Sequence, residues 1–222
     1  MLLKVPVLEA KNKLGCGPTS LSMVLKYFHK NYSEKQVLKQ LKIGLIKDQD
    51  RGTLVIDHAL LAQKLEFDVV CYSYNMELYK PYFIKLSRSE LLTELNTLLR
   101  KKQTPVNKKI LSATRELIES GANFKIKMPS QKDIINFLKK KLPVILAVNA
   151  KILFEKEVLP DFEKLTNSTG HFIVITGFLN DYFYYNDPYD GHCRKIFKDK
   201  LFFAWSNNIL DSSAYFLALL PK

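Results

Sequence analysis

The chain has 222 residues, of which 47% are hydrophobic, and it carries a formal net charge of +12. This composition excludes a disordered chain and suffices for the core of one elaborated domain, or of one domain with a large insertion. The positive charge suggests nucleic-acid binding. Most of the excess positive charge, however, comes from lysines scattered over the polar faces of predicted helices. A solvated basic surface is the favoured interpretation, so no specific nucleic-acid partner is expected.

The three cysteines, Cys16, Cys71 and Cys193, form neither an even set nor a CxxC pair. We therefore expect no disulfide framework and no structural zinc, no cofactor, and a reducing compartment. No stretch approaches the roughly 18 apolar residues that span a bilayer, and the N-terminal segment is too short for the apolar region of a signal peptide. The expectation is a soluble cytoplasmic protein, unless a route without a signal peptide exports it.

Residues 14–28 predict an amphipathic helix with a cysteine at its start. Apolar residues recur at the i, i+3, i+4, i+7 spacing, and Gly17-Pro18 suits a first helical turn. Cys16 then lies where unpaired backbone N–H groups and the positive end of the helix dipole favour a thiolate and can hold an oxyanion. The alternative is a cysteine that only packs at the helix start, and the Cys-Gly-Pro motif alone favours that alternative.

Two more helices and a strand are predicted next. Ser33 and Gln36 form the two halves of a capping box that begins the second helix. The third helix, over 53–66, places His58 on its apolar face, which predicts a buried, hydrogen-bonded histidine and not a catalytic one. Residues 67–74 are dense in β-branched and aromatic residues, which is typical of a strand.

The middle of the chain changes character from residue 75 to about residue 128, with two polar, helix-forming stretches separated by a turn. We interpret it as a helical insertion, and a structural spacer is favoured over a lid. A helix over 129–141 and a continuously apolar strand over 142–149 follow, and the apolar run predicts a central position in the sheet. The final residues, 214–221, alternate as a closing strand does.

The segment from His171 to Asp187 predicts an antiparallel hairpin, because two apolar runs flank the turn-forming residues 179–181. With a three-residue loop, Asp187 lies opposite Ile173, one diagonal step from His171 on the same face of the sheet. A two-residue turn would put the imidazole and the carboxylate on opposite faces. The expected contact between the two side chains therefore depends on the length of the loop.

Cys16, His171 and Asp187 follow the order of a thiolate nucleophile, an imidazole that carries its proton, and a carboxylate that fixes the imidazole tautomer. The sequence blocks that hold them are CGPTSLSMVL, GHFIVITG and NDPYDG. These blocks resemble the signatures of the bacteriocin-processing (double-glycine leader) peptidase-like family, over roughly residues 5–74 and 142–219. The resemblance implies an α+β, papain-like cysteine peptidase.

The implied architecture is a single domain over residues 1–222, with a helical half packed on an antiparallel sheet and the helical insertion at about 75–128. By the same resemblance Cys16 would be the nucleophile, His171 the general base and then acid, and Asp187 its orienting partner. The implied reaction is cleavage of an amide bond in a peptide or protein substrate through a thioester on Cys16.

One family feature is absent. In the family, a glutamine about six residues before the cysteine donates a hydrogen bond to the oxyanion, and this chain has Ala10 there. We expect Asn12 to supply the missing donor, because its neutral carboxamide is the nearest chemical match. Lys11 and Lys13 are the alternatives, with longer reach but a mobile charge.

Two other functions stay open at this point. Peptidyl or acyl transfer uses the same triad, with an amine in place of water to resolve the thioester. A catalytically impaired peptide-binding module is the other, since losing one oxyanion donor typically costs on the order of 100-fold or more in turnover. The sequence sets neither the substrate nor the oligomeric state.

Overall fold

The computed structural model describes residues 1–12, 14–44, 52–154, 170–211 and 214–222. The helices in these ranges are α1 (Cys16–Tyr27), α2 (Glu34–Gln40), α3 (Val55–Lys64), α4 (Arg88–Arg100), α5 (Pro105–Glu119), α6 (Gln131–Lys139), α7 (Ala150–Leu153) and α8 (Lys198–Asp211), and a short 3-10 helix spans Pro81–Lys85. The strands are β1 (Phe67–Tyr74), β2 (Asn123–Ile126), β3 (Val144–Asn149), β4 (Gly170–Leu179), β5 (Tyr182–Asp187), β6 (His192–Phe197) and β7 (Ala214–Pro221).

The strands form one sheet in the order β2-β1-β7-β3-β4-β5-β6, in which only the β1–β2 pair is parallel among the described strands. β3 lies at the centre with all six residues buried, which explains its continuous apolar run. β7 lies between β1 and β3, although it is the last strand of the chain. The predicted α+β class, with helices packed on a mainly antiparallel sheet, is confirmed.

The first turn of α1 is fixed by close packing. The residues of α1 from Gly17 to Leu25 are all buried, and the helix packs against β4. A Cβ added at Gly17 would lie 2.5 Å from both Cε1 of His58 and Oγ1 of Thr53. Both distances are shorter than non-bonded atoms tolerate, so only glycine fits here without a shift of the helix start.

The β4–β5 hairpin differs from the predicted hairpin at two points, and the effects of these two differences on the strand register cancel. Leu179 pairs with Tyr182, so the turn has two residues and the predicted three-residue loop is wrong. A β-bulge between Ile175 and Gly177 then adds one residue to β4, and it returns the register to the predicted one before Asn186. The bulge therefore reverses the change of face that a two-residue turn would impose.

The N-terminal segment runs beside this hairpin. The N–H of Leu3 donates to the carbonyl of Thr176 in the bulge at 2.8 Å. The Asn186 side chain donates to the carbonyl of Val5 at 3.0 Å. These bonds bring the chain from the hairpin towards the start of α1.

Residues 75–128 contain α4, α5 and the 3-10 helix, as well as β2, a strand that the sequence analysis did not predict. α4 and α5 pack on each other, and α5 also contacts α3. β2 pairs in parallel with β1 and forms the edge of the sheet that is remote from β4 and β5. The region therefore extends the sheet at that edge.

Candidate active site

Cys16 is the first residue of α1, as predicted, and its side chain is partly exposed. Gly15 precedes it and offers no side chain to cap the helix. The first backbone N–H groups of a helix have no partner within the helix, so they face the region of the thiol. The helix start therefore combines a partly exposed sulfur with backbone donors that have no partner within the helix and with the positive end of a helix dipole.

His171 and Asp187 lie on the neighbouring strands β4 and β5 and meet on one face of the sheet. His171 Nε2 is 2.8 Å from Asp187 Oδ1, so the contact expected from the sequence is present. His171 is only 8% exposed and Asp187 is fully buried. The N–H of Tyr189 donates to the same carboxylate oxygen at 2.9 Å, which fixes the carboxylate from the following turn.

The electrostatics of His171 follow from these neighbours. Burial alone would lower the pKa of His171, but the charge and hydrogen bond of Asp187, together with smaller contributions from Cys16, raise this pKa to about 10. Asp187 occupies Nε2, so Nδ1 is the ring nitrogen that remains for the hydrogen bond with Cys16. At neutral pH the imidazole therefore holds a proton beside the sulfur.

Aromatic side chains border the imidazole. The ring of Phe154, which follows α7, lies 5.6 Å from the ring of His171. The centre of the Tyr189 ring lies 5.9 Å from the centre of the Phe154 ring. Neither residue is recognisable from the sequence: Phe154 is distant from His171 along the chain, and Tyr189 lies in a turn without a periodic pattern. The ring of Phe154 thus lies beside the imidazole, and Tyr189 packs on Phe154.

The segment before Cys16 is held by Glu34, another residue that the sequence analysis did not single out. Glu34 accepts hydrogen bonds from Asn12 Nδ2 at 2.5 Å and from the N–H of Lys11 at 2.7 Å. Asn12, the expected oxyanion donor, thus has one amide hydrogen bound to a carboxylate, and its second amide hydrogen has no partner among the described residues. Lys13, one of the alternatives, lies outside the described residues.

His58 is buried and hydrogen-bonded, as predicted, with Nε2 2.8 Å from Oγ1 of Thr53. Burial lowers the pKa of His58 to about 3, so the imidazole is neutral at physiological pH. Its ring also lies 5.5 Å from the ring of Phe172, the residue after His171. His58 therefore packs between the helix that carries Cys16 and the strand that carries His171.

A thiol beside an imidazole that is itself bound to a carboxylate is the arrangement of the cysteine hydrolases, on a fold of helices packed against an antiparallel sheet. A family model described as the Peptidase_C39 like family matches residues 2–208. The chain belongs to this family, and it is a cysteine peptidase. The resemblance read from the three sequence blocks is confirmed.

Solved structures support the fold. A C39-like peptidase from Bacillus anthracis has 16% identity and a TM-score of 0.51, with 100% of this chain and 98% of that chain covered. The peptidase domain of Streptococcus ComA, a bi-functional ABC transporter involved in quorum sensing, has 15% identity and a TM-score of 0.50, with 98% and 99% covered.

A double-glycine motif protease from an AMS/PCAT transporter, in complex with its leader peptide, has 20% identity and a TM-score of 0.48, with 100% and 94% covered. No curated protein sequence matches the chain. Within the described ranges, no helix is long and apolar enough to cross a membrane.

Proposed function

We propose that this cysteine peptidase cleaves a peptide bond through a thioester on Cys16. The Cys16 thiolate attacks the carbonyl carbon of the scissile amide, and the carbonyl oxygen becomes an oxyanion. His171 gives its proton to the leaving nitrogen, so the amine departs and a thioester remains. His171 then takes a proton from water, the hydroxide attacks the thioester, and the released acid restores the thiolate. Asp187 holds the imidazole and stabilises its charged form throughout.

The observation that carries this proposal is the 2.8 Å bond between His171 Nε2 and Asp187 Oδ1, together with the hydrogen bond between the same imidazole and Cys16. This bond leaves Nδ1 as the ring nitrogen for the sulfur, and it keeps the imidazole protonated near neutral pH. Packing alone does not explain why an aspartate, a histidine and a thiol lie together here. Burying polar groups costs free energy, so a functional role is the better explanation.

For the oxyanion we propose two donors, the backbone N–H of Cys16 and the second amide hydrogen of Asn12. The first follows from the position of Cys16 at the start of α1. The second follows from the bond to Glu34, which accepts one hydrogen of the Asn12 carboxamide and leaves the other. Asn12 would thus replace the glutamine that is absent at Ala10.

The substrate in this proposal is a peptide or protein, which is the class that the family acts on, and water is the acceptor. Transfer to an amine stays the alternative, and product analysis with an added amine separates the two. We propose a cytoplasmic location on the basis of the thiols, since Cys16, Cys71 and Cys193 are all free.

The experiment compares alkylation of Cys16 and Cys193 in one chain across pH. Cys193 is the matched control, because it is exposed on β6, it lies two strands away from the strand of His171, and partial burial raises its pKa. With limiting iodoacetamide at pH 6, peptide mapping should find the label on Cys16 at least about 10-fold more often than on Cys193.

In His171→Ala, the preference for Cys16 should disappear, because the imidazolium that supports the thiolate is gone. Equal labelling of the two cysteines in the wild type would contradict an activated thiolate. Selective labelling without turnover of any peptide would instead favour the impaired peptide-binding module.

A further inference from the structure

The carboxylate of Glu34 accepts three hydrogen bonds close to the segment that leads into Cys16. Glu34 lies in the first turn of α2 and is 9% exposed. It accepts from the N–H of Lys11 at 2.7 Å, from Asn12 Nδ2 at 2.5 Å and from the hydroxyl of Thr19 at 3.0 Å. Its three donors come from the segment before Cys16 and from α1, and none of them carries a charge.

The same carboxylate lies directly against Gly15, the neighbour of the nucleophile. A Cβ added at Gly15 would be 2.6 Å from Glu34 Oε1, so only glycine allows this approach. The N–H of Gly15 donates to the carbonyl of Asn12 at 2.9 Å, which closes the turn that leads into Cys16. Glu34 therefore touches both ends of that turn and the helix that follows it.

The segment is also tied on its other side. The N–H of Ala10 donates to the carbonyl of Pro188 at 2.7 Å, and Pro188 directly follows Asp187. The residues between Ala10 and Gly15 thus bridge the turn after Asp187 and the start of α1. Without Glu34, the bond at Ala10 would hold only one end of this bridge.

We propose that Glu34 is a positioning residue for the oxyanion hole, which deepens the proposed function and rests on it. A carboxylate can only accept hydrogen bonds, so it requires that the nitrogen of the Asn12 carboxamide, and not its oxygen, faces Glu34. This fixes the orientation of the amide and leaves its second hydrogen available as a donor. Glu34 itself contacts neither substrate nor the reacting atoms.

The test is Glu34→Gln, which keeps the shape of the side chain but removes the charge and offers a donor where only acceptors fit. We expect kcat for an activated peptide ester to fall roughly 10- to 100-fold, since one oxyanion donor is worth about 100-fold or more and Glu34 acts on it indirectly. KM and the rate of Cys16 alkylation should change less than about 3-fold, because the thiolate depends on His171.

The matched control is Asp57→Asn. Asp57 is also a buried carboxylate that holds a loop, with three backbone N–H groups, those of Lys42, Ile43 and Gly44, at 2.8, 2.9 and 2.9 Å. Its loop does not lead into Cys16, so this variant should lose stability without a selective loss of kcat. Glu34→Asp serves as a second variant if Glu34→Gln does not fold, and it should lose kcat in the same selective way.

A double-mutant cycle tests whether Glu34 acts through Asn12. If Glu34 acts through Asn12, Asn12→Ala combined with Glu34→Gln should lose no more kcat than Asn12→Ala alone. Retention of kcat within about 3-fold in Glu34→Gln, or a parallel fall in Cys16 alkylation, would overturn the positioning role while the wild type still forms an acyl-enzyme. If the wild type forms none, the proposed function itself fails, and the inference falls with it.

Discussion

The contact between Gly17 and His58 makes Gly17→Ala an informative change. The new Cβ would lie 2.5 Å from both His58 Cε1 and Thr53 Oγ1, about 0.9 Å closer than the 3.4 Å at which ordinary contact begins. His58 and Thr53 are buried and bonded to each other, so neither side chain can turn away. The helix start that carries Cys16 must move instead, by on the order of 1 Å.

Two magnitudes follow from this displacement. Overpacking of a well-packed core typically costs about 1–3 kcal/mol in the free energy of unfolding. A misplacement of about 1 Å in catalytic geometry costs on the order of 100-fold in rate. We therefore expect Gly17→Ala to remain folded, with an unfolding midpoint lowered by a few degrees and acylation of Cys16 lowered by about two orders of magnitude.

The assay is single-turnover acylation with an activated peptide ester, read beside thermal unfolding. Gly52→Ala is the control, because its Cβ would meet its nearest neighbour, the carbonyl of Leu14, at an ordinary 3.5 Å. Adding His58→Ala to Gly17→Ala should recover part of the rate, since it removes one of the two clashing groups. Wild-type acylation in Gly17→Ala would refute the argument that this packing fixes the nucleophile.

Three further predictions concern charge and hydrogen bonding. Asp187→Asn should lower kcat roughly 10²- to 10⁴-fold and abolish the preferential alkylation of Cys16 at pH 6, because the carboxylate that raises the pKa of His171 is gone; unchanged labelling would contradict it. Asn12→Ala should slow acylation about 100-fold or more but leave alkylation of Cys16 unchanged, and equal acylation would mean that backbone donors suffice. His58 should make the protein acid-sensitive: its pKa is lowered from 6.5 to about 3 by burial, so its contribution is complete above pH 6.5 and is lost as the pH falls towards 3. At pH 5 the loss should be about 2 kcal/mol in the free energy of unfolding, and His58→Gln should lack this part of the pH dependence if the assignment is right.

Local patterns account for the elements that the sequence predicted well. The periodicity and the proline after Cys16 placed the start of α1, and Ser33 with Gln36 placed the start of α2, where both bonds of the capping box are present. β1 and β7 have the predicted bounds because their apolar and aromatic runs end at turn residues. These signals lie within a few residues of the feature they specify.

The parts that sequence reasoning missed depend on distant residues. β2 has four residues, alternates between exposed and buried positions, and is a strand only because it pairs with β1. The bulge near Thr176 has no local signature, and Leu3 supports it from the other end of the chain. The contact of His171 with Asp187 was therefore predicted correctly from a loop length that was wrong.

Glu34 illustrates the same limit at the site. Its bonds to Lys11 and Asn12 span more than 20 residues, and its position in a capping box looks like an ordinary solvated carboxylate. Asn12 was expected as a donor because of its chemistry alone, and the bond to Glu34 depends on how α2 packs against α1. The sequence pattern does not predict how these two helices pack.

The central claim, that Cys16 forms a thioester with a peptide substrate, is tested most directly by trapping the acyl-enzyme. The protein is mixed with an activated peptide ester, quenched in acid within a single turnover, digested and mapped by mass spectrometry. The account predicts the acyl group on the peptide that contains Cys16, in an amount that matches the leaving group released, and its absence in Cys16→Ala and His171→Ala. Release of the leaving group at an undiminished rate in Cys16→Ala, or an adduct only on Cys193, would contradict it.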